Sequence, residues 1–197
     1  VRLISATVLM IVVVNVLGGC AIGEDGTPRP VTSSAGMSGS TESVTRAPRP
    51  EELKVEGVDP CATLTSAQQS ELKIDEALSQ PLDVLNNGKP APTCRYHSNG
   101  RTLFSYNISL VSGEGVDYWE GSSNLEVRSE SVSGFSAYRY KLSGTFQAYC
   151  SYAVDVADDQ QLVVQFLPIG EGFSQDRMCQ NSARGAELAL ATLQTLK

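Results

Sequence analysis

The chain holds 197 residues, with 15 Lys and Arg against 22 Asp and Glu and a single histidine, for a formal net charge of −7 at pH 7. Such a length is a prior for one ordinary domain with accessory segments. The basic residues are scattered, so the chain lacks the clustered positive surface that phosphate binding needs, and nucleic acid is set aside as a partner.

Residues 3–17 (LISATVLMIVVVNVL) are apolar except for Ser5, Thr7 and Asn15, and only Arg2 precedes them as a positive end. That profile predicts a signal peptide over 1–19, because a spanning helix needs about 20 apolar residues and this run stops at Gly18. Val1 points to an alternative start codon or to a start placed too late, and either explains the shortage of positive charge. Leu17-Gly18-Gly19-Cys20 resembles the bacterial lipobox. The pattern has a chemical reason: the thiol must reach a lipid donor at the membrane surface, and a peptidase must then close around small side chains to cut before the modified cysteine. The resemblance implies a mature chain that starts at Cys20 and is held on the extracytoplasmic face of the cell membrane by more than one acyl chain, since a single chain anchors only marginally.

Residues 20–57 are expected to be the lipidated cysteine and a disordered tether. The stretch GEDGTPRPVTSSAGMSGSTESVTRAPRP is Ser, Thr, Gly and Pro with almost no large apolar side chain, and it cannot bury enough surface to offset its ordering entropy. As a coil of about 37 residues it spans roughly 30 to 35 Å and lets a domain stand off from the lipid headgroups.

The extracytoplasmic domain is expected over 58–197. Besides Cys20 it contains Cys61, Cys94, Cys150 and Cys179, an even set that in an exported chain implies a disulfide framework with three possible connectivities. Cys61–Cys94 and Cys150–Cys179 are favoured because each closes a loop of about 30 residues, worth roughly 3 to 4 kcal/mol in the chain-entropy model. No CxxC occurs, which argues against a redox centre or a zinc ribbon.

Thr65-Ser-Ala-Gln68 fits a capping box and predicts a short helix over about 65–73, with Leu64, Leu72 and Ile74 as candidate buried positions. Residues 75–92, rich in Pro, Asn and Gly, read as an irregular connection. Phe104, Tyr106, Ile108 and Leu110 alternate with Ser105, Asn107 and Ser109, the period of a strand with one apolar face. The Asn99-Gly100 pair ahead of it favours a type I′ turn, so 93–98 is predicted to be the partner strand of a hairpin. Tyr138, Tyr140 and Leu142 alternate again, as do Cys150, Tyr152, Val154 and Val156, and after a turn at Asp158-Asp159-Gln160 come Leu162, Val164 and Phe166. Cys179, Ala183, Ala186, Leu190 and Leu193 then fall on one helical stripe within about Gln175 to Leu196. The fold class read from this order is α+β: an antiparallel β-sheet, an N-terminal short helix, a C-terminal amphipathic helix packed on one face, and two disulfides.

The order Asp59-Pro60-Cys61, Leu64-Thr65, Cys94-Arg95-Tyr96, Val132-Ser133-Gly134-Phe135-Ser136-Ala137, Cys150-Ser-Tyr-Ala-Val and Cys179 on an Ala-rich terminal helix resembles the actinobacterial lipoprotein family called domain of unknown function 3558. The resemblance covers about residues 58–196. It implies an envelope lipoprotein and brings no agreed activity and no catalytic residues. Tyr96 departs from the Trp expected after the second cysteine of the set.

The residues offer little catalytic chemistry. His97 reads as an exposed histidine beside a hairpin turn rather than as a hydrolase base. Asp155, Asp158 and Asp159 have hard oxygens suited to calcium but lack the EF-hand spacing and glycine. Gly113-Glu114-Gly115-Val116-Asp117-Tyr118-Trp119-Glu120 holds the sole Trp, and Tyr118, Trp119 and Glu114 form a candidate ligand rim, with packing of Trp119 into the core as the competing reading. The expectation is a non-catalytic, lipid-anchored domain without metal or cofactor that binds an envelope protein or ligand. The alternatives are a carrier of a lipid or other apolar molecule, or a cell-wall hydrolase using Glu114 and Glu120.

Overall fold

The computed structural model of the chain describes residues 47–144 and 148–196, all within the unit Val44–Lys197. Cys20, the signal segment 1–19 and most of the tether therefore lie outside the described residues. The strands are β1 (Glu76–Ser79), β2 (Thr93–Ser98), β3 (Leu103–Ser112), β4 (Leu125–Val132), β5 (Phe135–Leu142), β6 (Cys150–Ala157) and β7 (Gln160–Ile169), and the helices are α1 (Ser66–Glu71) and α2 (Gln175–Leu193). The strands form one antiparallel sheet in the order β1-β2-β3-β7-β6-β5-β4. Two meanders meet where β3 lies beside β7. The connection from β3 to β4 crosses to the opposite edge and carries a 3-10 turn, Val116–Trp119.

The alternation read from the sequence sets the inner face. Tyr106, Ile108 and Leu110 of β3 face Phe166, Val164 and Leu162 of β7 in register, and Tyr152 and Val154 of β6 extend the same layer. The α2 stripe of Cys179, Ala186, Leu190 and Leu193 is buried against it. Each such large side chain, fully buried, contributes roughly 1.5 to 3 kcal/mol. Close approach of helix and sheet depends on Gly185, where an added Cβ would stand 3.0 Å from Cε1 of Tyr106 and 3.2 Å from Cγ1 of Val164. The disulfides join Cys61 to Cys94 and Cys150 to Cys179, tying the first turn of the domain to β2 and the start of β6 to α2.

The Thr65 capping box is present, and its Gln68 does more than cap. Its amide nitrogen donates to the Leu188 carbonyl at 3.0 Å, and its amide oxygen accepts from the Thr192 hydroxyl at 2.8 Å, so α1 is docked on α2. The hairpin of β2 and β3 is present, but its loop holds residues 99–102 and is not the type I′ turn expected. Neither Asn99 nor Gly100 has positive φ, which that turn requires at both central residues. Instead the Asn99 amide donates to Oδ2 of Asp75 at 2.6 Å, and this outside partner holds the longer loop. The two-residue turn with positive φ at both positions is Ser133-Gly134, between Val132 and Phe135.

Three differences from the sequence reading concern edges. Strands β1 and β4 fall in segments not read as strand. Both are edge strands whose mostly polar residues leave no apolar alternation to detect. Residues 47–57, the end of the expected tether, dock on the domain: the Leu53 amide donates to the Val156 carbonyl at 2.7 Å, and Leu53 and Val55 are buried in the main core. They meet the sheet at the register shift between Asp155 and Ala157, where β5 no longer pairs with β6. Composition averaged over a Ser-rich and Pro-rich segment hides two apolar residues spaced by two. Leu53→Ala is expected to cost about 2 to 5 kcal/mol in urea denaturation; a loss under about 0.5 kcal/mol, the range of a surface change, would make the segment an appendage.

Candidate functional site

A cavity of about 620 Å³ lies on the helix side of the sheet between α2, the end of the β2–β3 hairpin and the residues after α1. A volume of this order is within the range of small-molecule sites, about 300 to 1,000 Å³. Its floor is aromatic. Phe104 and Tyr106 project from β3, and Phe173, in the β7–α2 connection, meets Phe104 edge-on at 5.9 Å and Phe166 at 5.0 Å. Helical spacing puts Arg177, Asn181 and Arg184 on one stripe of α2 facing the cavity, and the hairpin loop brings Arg101 opposite them.

The charges of this groove do not cancel. Arg184 is committed to Glu71 at 2.7 Å and Glu187 at 2.9 Å, and Asp75 accepts from the Asn99 amide. Lys73, Arg101 and Arg177 also line the groove, and among the described residues they form no ion pair. With Lys73, Arg101, Arg177 and Arg184 against Glu71 and Asp75, the lining carries an excess of positive charge although the chain as a whole is acidic. Tyr106 is only 2 % exposed, and its hydroxyl forms no hydrogen bond with a described residue. Burial pushes this phenol above its ordinary range while Arg177 pulls it down, so it stays a neutral O–H donor at the edge of the groove.

Of the two readings of the segment around Glu114, Tyr118 and Trp119, packing of Trp119 into the core is the one found. Trp119 is 4 % exposed and stacks on Tyr140 at 3.9 Å in a second cluster on the outer face of the sheet. Its indole N–H donates to Oε1 of Gln161 at 2.7 Å, and the Gln161 amide nitrogen donates to the carbonyls of Glu114 and Gly115, each at 3.0 Å. Tyr118 donates its hydroxyl to the Leu85 carbonyl, and Tyr138 donates to Glu120. Glu114 stands on the lip of a small cleft of about 130 Å³. The segment is thus pinned to the sheet by Gln161, a residue that no sequence signal singled out.

His97 sits near the end of β2, beside the hairpin loop as expected, but is half-buried rather than exposed, and register places it between Glu76 of β1 and Ser105 of β3. Among the described residues no side-chain hydrogen bond or ion pair joins these three. Asp155 and Asp158 both pair with Arg49, and no group of three His, Cys, Asp or Glu among the described residues could hold a metal ion. No described helix is long and apolar enough to cross a membrane.

The model of a family described as protein of unknown function, DUF3558, matches residues 15–192 of the chain. No curated protein and no solved structure matches it.

Proposed function

The chain belongs to the DUF3558 family, and we propose that it is an actinobacterial envelope lipoprotein whose domain, held outside the membrane by acyl chains on Cys20, binds an envelope ligand without catalysing a reaction. The observation that carries the binding role is the groove, with an aromatic floor beneath Lys73, Arg101 and Arg177, which form no ion pair among the described residues. Two disulfides support the extracytoplasmic setting, since such bonds persist in oxidising compartments. The lipobox at Leu17-Gly18-Gly19-Cys20 supports the anchor.

The carrier reading is favoured over the hydrolase reading by the same groove. Around Glu114 and Glu120 the indole that would hold a sugar is buried as Trp119, and Glu120 accepts a hydrogen bond from Tyr138.

Mass spectrometry of the protein isolated from its own membranes tests the anchor. The expected mature chain begins at Cys20 and carries the added mass of acyl chains, and Cys20→Ser releases the domain from the membrane fraction. An uncut chain that retains Val1 and an unmodified Cys20 would defeat the lipoprotein reading.

A further inference from the structure

We propose that the groove between α2 and the β2–β3 hairpin takes an anionic amphiphile, its carboxylate or phosphate head held by Arg101, Arg177 and the Tyr106 hydroxyl and its apolar body laid on Phe104 and Phe173. The proposal rests on the reading of the domain as a binding module and names the class of ligand.

Each part of the groove selects against a simpler ligand. An inorganic anion uses the cations but leaves uncovered the half-buried Phe173 and the small part of Phe104 that reaches the groove, which with Leu72 are apolar residues lining a cavity of about 620 Å³. A neutral apolar molecule covers the rings but leaves Arg101 and Arg177 without a counter-charge. The Tyr106 hydroxyl is the most specific signal. It belongs to a residue 98 % removed from solvent by its 2 % exposure, it has no hydrogen-bond partner among the described residues, and it borders the groove on the side where Arg177 stands. The oxygen itself keeps access to solvent, since Oγ of Ser151 is the only fully buried side-chain polar atom left without a partner among the described residues, and an anionic oxygen positioned for Arg177 would accept its hydrogen bond. Guanidinium forks match carboxylate and phosphate oxygens, so both heads belong to the same chemistry.

The test uses residues 21–197, which contain every described part of the fold, in calorimetric titrations with decanoate, decyl phosphate, inorganic phosphate and decanol. Lipidation at Cys20 does not enter, so failure here and failure of the anchor are separate results. Decanoate or decyl phosphate, or both, should bind, and the two arms tell which head is preferred. Arg101→Ala with Arg177→Ala together, and Tyr106→Phe alone, should each weaken binding by roughly tenfold or more, as expected for lost hydrogen bonds to a charged group. Tyr106→Phe keeps every ring contact, and emission from Trp119, which lies in the other cluster, reports that each variant is folded. The proposal is overturned if neither amphiphile binds, if decanol or inorganic phosphate binds as tightly as the amphiphiles, or if the folded variants bind as the parent does.

Discussion

Gly185→Leu is expected to destabilise the protein by about 3 kcal/mol, the upper part of the usual range for overpacking a well-filled core. At this position the helix backbone rests on the sheet, and the first carbon of any side chain already meets Tyr106 at 3.0 and 3.1 Å and Val164 at 3.2 Å. A leucine adds three more carbons where β3 and β7 are paired on one side and α2 is tied to β6 by Cys150–Cys179 on the other. The helix therefore cannot lift away freely. Gly185→Ala is expected to stay within about 1 kcal/mol of the parent, because the gain in helix propensity, roughly 1 kcal/mol, opposes contacts that need a shift of only a few tenths of an ångström. Urea denaturation with the disulfides intact separates the pair. A leucine variant as stable as the parent would mean that α2 does not sit on the sheet as described.

Gln161→Leu should cost about 2 to 4 kcal/mol, because it strands a buried indole N–H and two carbonyl oxygens at once. The sole tryptophan reports the change directly, its emission shifting to the red as the Val116–Trp119 turn loosens from Tyr140. Gln161→Glu is a sharper probe. The introduced carboxyl faces the carbonyls of Glu114 and Gly115 in a buried site, so its folded-state pKa rises above the unfolded value of about 4.3. The folded state then binds more protons than the unfolded one, and stability relative to the parent falls as pH rises through that window. The penalty should be smallest below about pH 4, the unfolded range, and largest at neutral pH. A penalty that does not change with pH would show that Gln161 is not positioned by those carbonyls.

Much of the architecture was legible locally. The capping box at Thr65 and Gln68, the alternation in β3, β5, β6 and β7 and the stripe of α2 depend on residues within a few positions of one another, and each is found where its pattern placed it. The pairing of Cys61 with Cys94 and of Cys150 with Cys179 follows from closing the shorter loops. Polar residues were harder to read. Ser105, Asn107 and Ser109 alternate with apolar neighbours and look solvent-facing, yet all three are buried. They lie on a central strand, where Arg95 and Gln165 from β2 and β7 hydrogen-bond to Asn107 and Thr93 bonds to Ser109. Alternation shows which residues share a face and says nothing about what lies across it.

Trp119 shows the same limit from the other side. Its neighbours Glu114, Tyr118 and Glu120 left a rim and a core position both open, and the partners that settle it, Gln161 and Tyr140, lie 42 and 21 positions along the chain. The groove depends even more on assembly. Lys73 follows a short helix, Arg101 sits in a hairpin loop, Tyr106 belongs to a strand's apolar stripe and Arg177 to the polar side of α2, and each has an ordinary local explanation. By itself the sequence determined the sheet-forming periods, the helix ends and the cysteine staples, because those arise from backbone geometry and loop entropy over short spans. Which faces are covered, where charge is left uncancelled and which hydroxyl borders the groove without a partner were decided only when the two meanders closed beneath α2, because burial and electrostatic neutralisation are set by neighbours in space.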